Sequence, residues 1–290
     1  MRLILLLTLL LSLAQAKLTV AVSYPYIGSI AKTIGGDKIT VETLAQGSWD
    51  PHFVVPKPSL VSRLRNADVI IINGADLEIG WLSPLLGRAS NDRLNNGLNV
   101  LDLSKKVRLI DVPTDTSRAG GDVHADGNPH FHLDPRNIPL LAEAITVFLS
   151  QKDPANATLY RNNLAAFKTL WSANLKRWDS AMAPLRGKSV IQYHPVFNYF
   201  LHAYGLKSAA TIEPLAGIPP SSAHTIKLIG IINAEKPLCI MHDVYHPTKT
   251  GEFLHDKTGI KLVLMPHDVG SLETIDNITA LFDALTKRLQ

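Results

Sequence analysis

Several of the chain's eleven histidines stand directly after apolar runs that read as strands, or in tight turns flanked by proline. His52 lies in Ser48-Trp49-Asp50-Pro51-His52, and His130 and His132 lie in Asn128-Pro129-His130-Phe131-His132-Leu133-Asp134-Pro135. His194 closes the run Ser189 to Tyr193 and precedes Pro195, and His242 closes Leu238 to Met241. His267 and Asp268 follow Lys261 to Met265. Taken singly, each histidine reads most simply as a hydrogen-bonded structural residue. Taken together, imidazoles and a carboxylate at the ends of several strands are the donor set of a metal site. Imidazole suits zinc, and three histidines plus one further N or O donor make a tetrahedral shell at about 2.0–2.2 Å. Prolines beside the candidates suit loops that must hold such a shell rigidly.

For these side chains to meet, their strands must lie side by side and end on one edge. Short apolar runs alternate with helical patterns: strands are expected at Leu18 to Val22, Ile39 to Leu44, Asp68 to Asn73 and Val100 to Leu103. Helices are expected at Ile27 to Ile34, Pro58 to Asn66 and Leu140 to Leu149. A second series places strands at Ser189 to Tyr193, Ala209 to Ile212, Leu238 to Met241 and Lys261 to Met265. Its helices are Val196 to Tyr204, Ser222 to Ala234, Thr248 to Thr258 and Leu272 to Leu289. Alternating strands and helices build parallel sheets. Between the series, Leu159, Leu164, Phe167, Leu170, Trp171, Leu175 and Trp178 recur at helical spacing from Asp153 to Leu185. This stretch reads as one stiff helix, with two helices broken near Ser172-Ala173 as the alternative. The expected fold class is α/β: two lobes with parallel sheets flanked by helices, joined by one long rigid helix. The lobes span 17–150 and 187–290, and the linking helix 151–186. Ligands of open α/β sheets bind at the carboxyl ends of the strands.

The composition, 46% hydrophobic and 19% charged, suits a packed core and excludes disorder. A net charge of +4 without a basic run makes nucleic acid a poor partner. Arg2, the apolar run Leu3 to Leu13 and Ala14-Gln15-Ala16 have the parts of a cleavable export signal over 1–16. No cysteine follows Ala16 at the cleavage point, so the expected product is free rather than lipid-anchored. No later run reaches the ~18 apolar residues of a membrane span. The single cysteine, Cys239, sits in an apolar run and reads as a core thiol.

The chain resembles the periplasmic zinc- and manganese-binding solute-binding proteins of ABC metal importers, the ZnuA/TroA-like family. Asp50-Pro51-His52, Pro56-Lys57-Pro58-Ser59, Ala67 to Gly74 and Leu77-Glu78 match that family's first motif block. Asn128 to Pro135 matches its second, and Tyr193-His194-Pro195 through Phe200 to Tyr204-Gly205 its third. The likeness covers essentially the whole chain after residue 16. It implies three metal ligands, His52, His130 and His194, and a fourth, usually Asp, after the last strand. Residue type favours Asp268 for that place, while alignment from Gly270 favours His267. His132 stands where the family has Trp, as an alternate ligand or a supporting group. His242 stands where relatives often carry Glu and is expected to line the cleft.

Histidine in the third position resembles the zinc receptors, so Zn2+ is the expected cargo and Mn2+ the second choice. Departing from many zinc receptors, the chain has no long His/Asp/Glu-rich loop, only Gly120-Gly121-Asp122-Val123-His124-Ala125-Asp126. His124 is expected to be a solvated loop residue, with help in metal capture as the alternative, and His202, His224, His246 and His255 surface or capping residues. Glu213-Pro214 through Ser221 is expected to be a stiff turn leading into a helix capped by Ser221 or Ser222. The resemblance further implies a monomer, not membrane-inserted, that meets an importer's permease and ATPase outside the cytoplasm. A closed shell leaves no position for substrate water, so no catalysis is expected. The rival readings are a zinc-dependent hydrolase, with His130 and His132 as paired ligands and Asp268 as base, and a metal-free solute binder. No His-Glu-x-x-His or Gly-x-Ser-x-Gly supports the first.

Overall fold

The computed structural model describes residues 17–95, 97–115 and 123–290. The expected export signal, residues 1–16, and the Gly120 to Asp122 stretch lie outside the described residues. In chain order the first half contains β1 (Leu18–Val22), α1 (Pro25–Gly35), β2 (Ile39–Thr43), α2 (Pro58–Asn66) and β3 (Val69–Ile72). It continues through α3 (Leu82–Ala89), α4 (Asp92–Asn95), β4 (Val100–Asp102) and α5 (Ile138–Lys152) to the long helix α6 (Ala157–Met182). After it come β5 (Ser189–Gln192), α7 (Asn198–Tyr204), β6 (Lys207–Thr211), α8 (Ser222–Glu235) and β7 (Cys239–His242). The chain closes with α9 (Lys249–Thr258), β8 (Lys261–Leu264) and α10 (Ile278–Arg288).

The strands form two separate four-stranded sheets of the same topology, β2-β1-β3-β4 and β6-β5-β7-β8. Every pairing is parallel. Parallel strands are covered on both faces, so central ones read as unbroken apolar runs. Val69, Ile70 and Ile71 of β3 and all four residues of β7 are accordingly buried. In each sheet the first strand goes one way to its second and the other way to its third. The crevice of each therefore opens between β1 and β3, or between β5 and β7, at their carboxyl ends.

Helix α6 runs unbroken through Ser172 and Ala173, which disposes of the two-helix alternative. Its buried residues Tyr160, Phe167, Trp171, Trp178 and Met182 recur at helical spacing along one stripe. Trp171 and Trp178 pack ring to ring at 5.0 Å, and both meet Phe282 of α10, at 5.5 and 5.2 Å. Asn163 Nδ2 donates to the Ile34 carbonyl at 2.8 Å, tying α6 to the end of α1. Trp178 Nε1 donates to Asp283 of α10 at 2.7 Å.

The closing helix differs from expectation. It begins at Ile278 rather than Leu272, because Asn277 caps it by accepting from Thr279 N and Ala280 N at 2.9 and 3.0 Å. The residues before it form a turn closed by Gly270 N to the Ile275 carbonyl at 2.7 Å. Ile278 N also donates to Ser29 Oγ of α1 at 3.0 Å, so α10 returns to the helices of the first sheet. Among the described residues no helix is long and apolar enough to cross a membrane.

Candidate metal centre

Three loops at strand ends carry the cluster. His52 lies between β2 and α2, His130 between β4 and α5, and His194 between β5 and α7, just past Tyr193. Among the described residues, His52, His130 and His194 form the one group of potential ligands whose donor atoms all lie within 4.8 Å of one another. Their ring centroids are 5.3 Å apart for His52 and His130, 5.2 Å for His52 and His194, and 5.9 Å for His130 and His194. A tetrahedral shell at about 2.1 Å sets donors ~3.4 Å apart, so a small contraction closes the cluster around a cation.

Each ring is oriented by what surrounds it. His52 Nδ1 lies 2.9 Å from Asp50 Oδ1, which also accepts from the His52 backbone N at 2.9 Å. Burial works against ionisation of Asp50, but its hydrogen bonds with His52 prevail and hold its pKa below the usual carboxylate value. His194 Nδ1 lies 2.8 Å from Glu213 Oε2, and both side chains are buried. A carboxylate on Nδ1 fixes the proton there and leaves the Nε2 lone pair free to bind a cation. His130 is placed by its neighbours: Asn128 Oδ1 accepts from His130 N at 3.0 Å, and Asn73 Nδ2 holds the Pro129 carbonyl at 3.1 Å. Asn128 Nδ2 reaches across to the Pro195 carbonyl at 2.9 Å, which links the His130 turn to the His194 turn.

The Nε2 atoms of His52 and His130 are buried and have no protein partner. Buried polar atoms normally find one, and leaving them bare costs about 1–3 kcal/mol each. Burial, reinforced by His52, His194, His132 and His124, pushes the pKa of His130 well below that of a solvated imidazole. Burial also lowers that of His194, against the pull of Glu213. Neutral imidazoles with free lone pairs facing one another are what a divalent cation requires.

Neither candidate for the fourth place joins this cluster. Asp268 is buried, with its Oδ1 accepting from Val269 N at 2.6 Å and the Tyr26 backbone also bonded to it. His267 turns Nε2 to the Trp49 carbonyl at 3.3 Å, and burial pushes its pKa down to about 4. His132 stacks on Tyr26 at 4.2 Å and meets the His267 carbonyl through Nε2 at 2.9 Å. His132 follows His130 in the 3-10 turn Phe131–Leu133 and is not among the three residues whose donor atoms converge. His242 is fully buried, its Nδ1 2.6 Å from the Asp243 carbonyl and its ring against Tyr193.

Two further residues depart from expectation. His246 is a linker rather than a surface residue: its Nδ1 lies 2.9 Å from Asp243 Oδ2 and its Nε2 3.5 Å from Glu213 Oε1. His124, expected in solvent, is half-buried, with its ring centroid 5.3 Å from that of His52. Its only sequence signal was histidine in a short polar loop ahead of His130. Glu213, expected in a stiff turn, accepts from Gly217 N at 3.1 Å as well as meeting His194. Ser221 is the cap of α8, accepting from His224 N at 3.2 Å. His224 and His255 cap carbonyls, those of Thr211 and Ile260, at 2.9 and 2.7 Å.

Paired parallel sheets, a long backing helix and a buried trio of imidazoles make up a fold with a candidate cation site. The chain belongs to the family described as ZnuA, zinc-uptake complex component A, periplasmic, whose profile matches residues 20–289. The high-affinity zinc uptake system protein ZnuA of Paracoccus denitrificans is 26% identical over 263 residues, covering 79% of this chain and 77% of that one. The metal ABC transporter substrate-binding lipoprotein ScbA of Streptococcus cristatus is 30% identical over 200 residues, 67% of this chain and 62% of that one. The manganese ABC transporter substrate-binding lipoprotein PsaA of Streptococcus pneumoniae is 30% identical over 198 residues, 67% of this chain. The match spans under two thirds of the streptococcal relatives' length, 62% of ScbA and 61% of PsaA.

A crystal structure of ZnuA has the same fold, with a TM-score of 0.79 and 23% identity, covering 95% of this chain and all (100%) of that one. The Mn-bound periplasmic metal-binding protein of Candidatus Liberibacter asiaticus follows, with a TM-score of 0.77 at 20% identity over 94% of this chain and 98% of that one. The curated relatives carry the names of metal-uptake and transporter substrate-binding proteins, and none of these names supports the hydrolase reading.

Proposed function

We propose that the chain captures one divalent transition cation between its two sheets and hands it to the permease and ATPase of an ABC importer. The carrying observation is the buried trio His52, His130 and His194, whose donor atoms converge within 4.8 Å. The cargo is Zn2+ ahead of Mn2+, since a nitrogen-only trio suits the softer borderline ion and carboxylate-rich shells suit manganese. Its place of work is the periplasm, consistent with the export-type residues 1–16 and with the family. The lobes are tied at their backs by α6 and α10, so loading proceeds by a slight tilt with loop ordering rather than by wide hinge opening.

Isothermal titration of the protein stripped of metal tests this. One Zn2+ per chain, bound more tightly than Mn2+, is expected; no saturable site, or a clear preference for Mn2+, contradicts it. Asp50→Asn and Glu213→Gln are each expected to keep one site per chain while weakening it by about 10–100-fold, because each carboxylate sets the tautomer and aim of a ligand. Unchanged affinity in both variants would mean that the carboxylates do not act through the histidines.

A further inference from the structure

Resting on the proposed cation site, we propose that His124, not Asp268, supplies its fourth donor, so that the closed shell is four imidazole nitrogens. The His124 and His52 ring centroids are 5.3 Å apart, as close as those of His52 and His130. His124 lines the same cavity as His130 and His194. Its turn is anchored on both sides: Gly127 N donates to the His124 carbonyl at 3.1 Å, and Asn128 N to the Ile110 carbonyl at 2.9 Å. Gly127 has φ +119, and a Cβ there would lie 2.7 Å from the Ile110 carbonyl oxygen. The turn therefore seats tightly against the chain before it, and the backbone of residue 124 is held beside the trio. The donor of His124 is not among those within 4.8 Å of one another, so it joins by rotation of its half-buried side chain.

Asp268 is differently placed. Its carboxylate already accepts from Val269 N at 2.6 Å and from the Tyr26 backbone. Moving it to a cation would strip buried amides of their acceptor. Nor does the site need a carboxylate ligand to balance the ion. Asp50 and Glu213, on Nδ1 of His52 and His194 at 2.9 and 2.8 Å, already bring two carboxylate groups within one residue of the cation. A four-nitrogen shell favours Zn2+ over Mn2+, and a donor on a half-buried turn is the natural last one to close.

The full chain, stripped of metal, is titrated with Zn2+ and loaded with 113Cd2+ for NMR, in wild-type, His124→Ala, Asp268→Asn and His52→Ala forms. For His124→Ala the expected result is one site per chain, weakened by about tenfold or more, the range for disturbing a metal's surroundings. Its 113Cd resonance is expected to move as water oxygen replaces nitrogen, while that of Asp268→Asn stays with the wild type. A His124→Ala titration that superimposes on the wild type overturns the proposal, as does a 113Cd resonance unmoved by that substitution. If the wild type binds no cation, or His52→Ala leaves the 113Cd resonance in place, the cation site itself is wrong, a separate and recognisable failure.

Discussion

Replacing His52 and His194 together by alanine is expected to abolish tight zinc binding and, with it, zinc's effect on thermal stability. The two residues sit on separate loops, one after each of two different sheets, and their donors lie within 4.8 Å of each other and of His130. Removing both leaves only His130 of the trio, with His124 as the other proposed donor, too few to enclose a cation. Zinc at a thousand times its dissociation constant stabilises a one-site protein by about 4 kcal/mol, a shift of several degrees in Tm. That shift is expected in the wild type and absent in the double variant. The metal-free double variant should be somewhat less stable than the metal-free parent, since Asp50 and the buried Glu213 lose their imidazole partners. Melting curves with zinc and with chelator measure both effects. A zinc-dependent rise of equal size in the two proteins would place the metal elsewhere.

Acid is expected to destabilise the metal-free protein well above the pH at which its carboxylates protonate. Burial depresses the pKa values of His130, His132, His194 and His267, to about 3 for His132 and about 4 for His267. An imidazole with a depressed folded pKa protonates first in the unfolded chain. Its contribution is therefore present above about pH 6.5 and is lost as pH falls toward the folded value. Four groups oppose this: Glu78, Asp268 and Asp134, raised by burial, and His246, raised against its burial by Asp243. Burial raises Glu78 to about 7 and Asp268 well above its ordinary value, so they take up protons in the folded state first and stabilise it below that. As pH falls below about 6.5 the four imidazoles come to outweigh the groups that oppose them, so the unfolded state holds more protons than the folded one. Each proton of difference lowers stability by about 1.4 kcal/mol per pH unit. Against a typical total of about 5–15 kcal/mol this is a large loss. Urea unfolding in chelator at pH 6.5 and 5.5 checks it. Stability that is flat or rises toward pH 5.5 would mean that the histidines are hydrated rather than buried.

Much of the fold was legible because the central strands are unbroken apolar runs. Leu18 to Val22 and Pro58 to Asn66 match their elements to the residue. Errors fall where tertiary contacts decide. The run from Leu272 carries helical spacing, but the hydrogen bond from Gly270 N to the Ile275 carbonyl and the Asn277 cap hold the first residues in a turn. Helices α3 and α4 are short, and nothing in their spacing separates them from loop.

At the site, a set of histidines at strand ends and in Pro-flanked turns was readable from the sequence, but the choice of His52, His130 and His194 among them came from the family resemblance; the fold brings those three together. What lies next to them was not readable. Glu213 is 19 residues from the histidine it supports, and only the order of β5 beside β6 brings the two together. In the turn after β8 the Asp268 carboxylate accepts from Val269 N, a matter of side-chain direction that no spacing encodes. His124 lies in a polar stretch that reads as solvent-exposed, and it comes near His52 through the turn at Gly127.

The most direct test is anomalous X-ray scattering at the zinc edge from crystals of the zinc-loaded protein. One strong peak per chain, about 2.0–2.2 Å from the Nε2 atoms of His52, His130 and His194, is the expected result. A peak that leaves any of these three nitrogens out of bonding range, or zinc found only at surface histidines such as His202, would contradict the account.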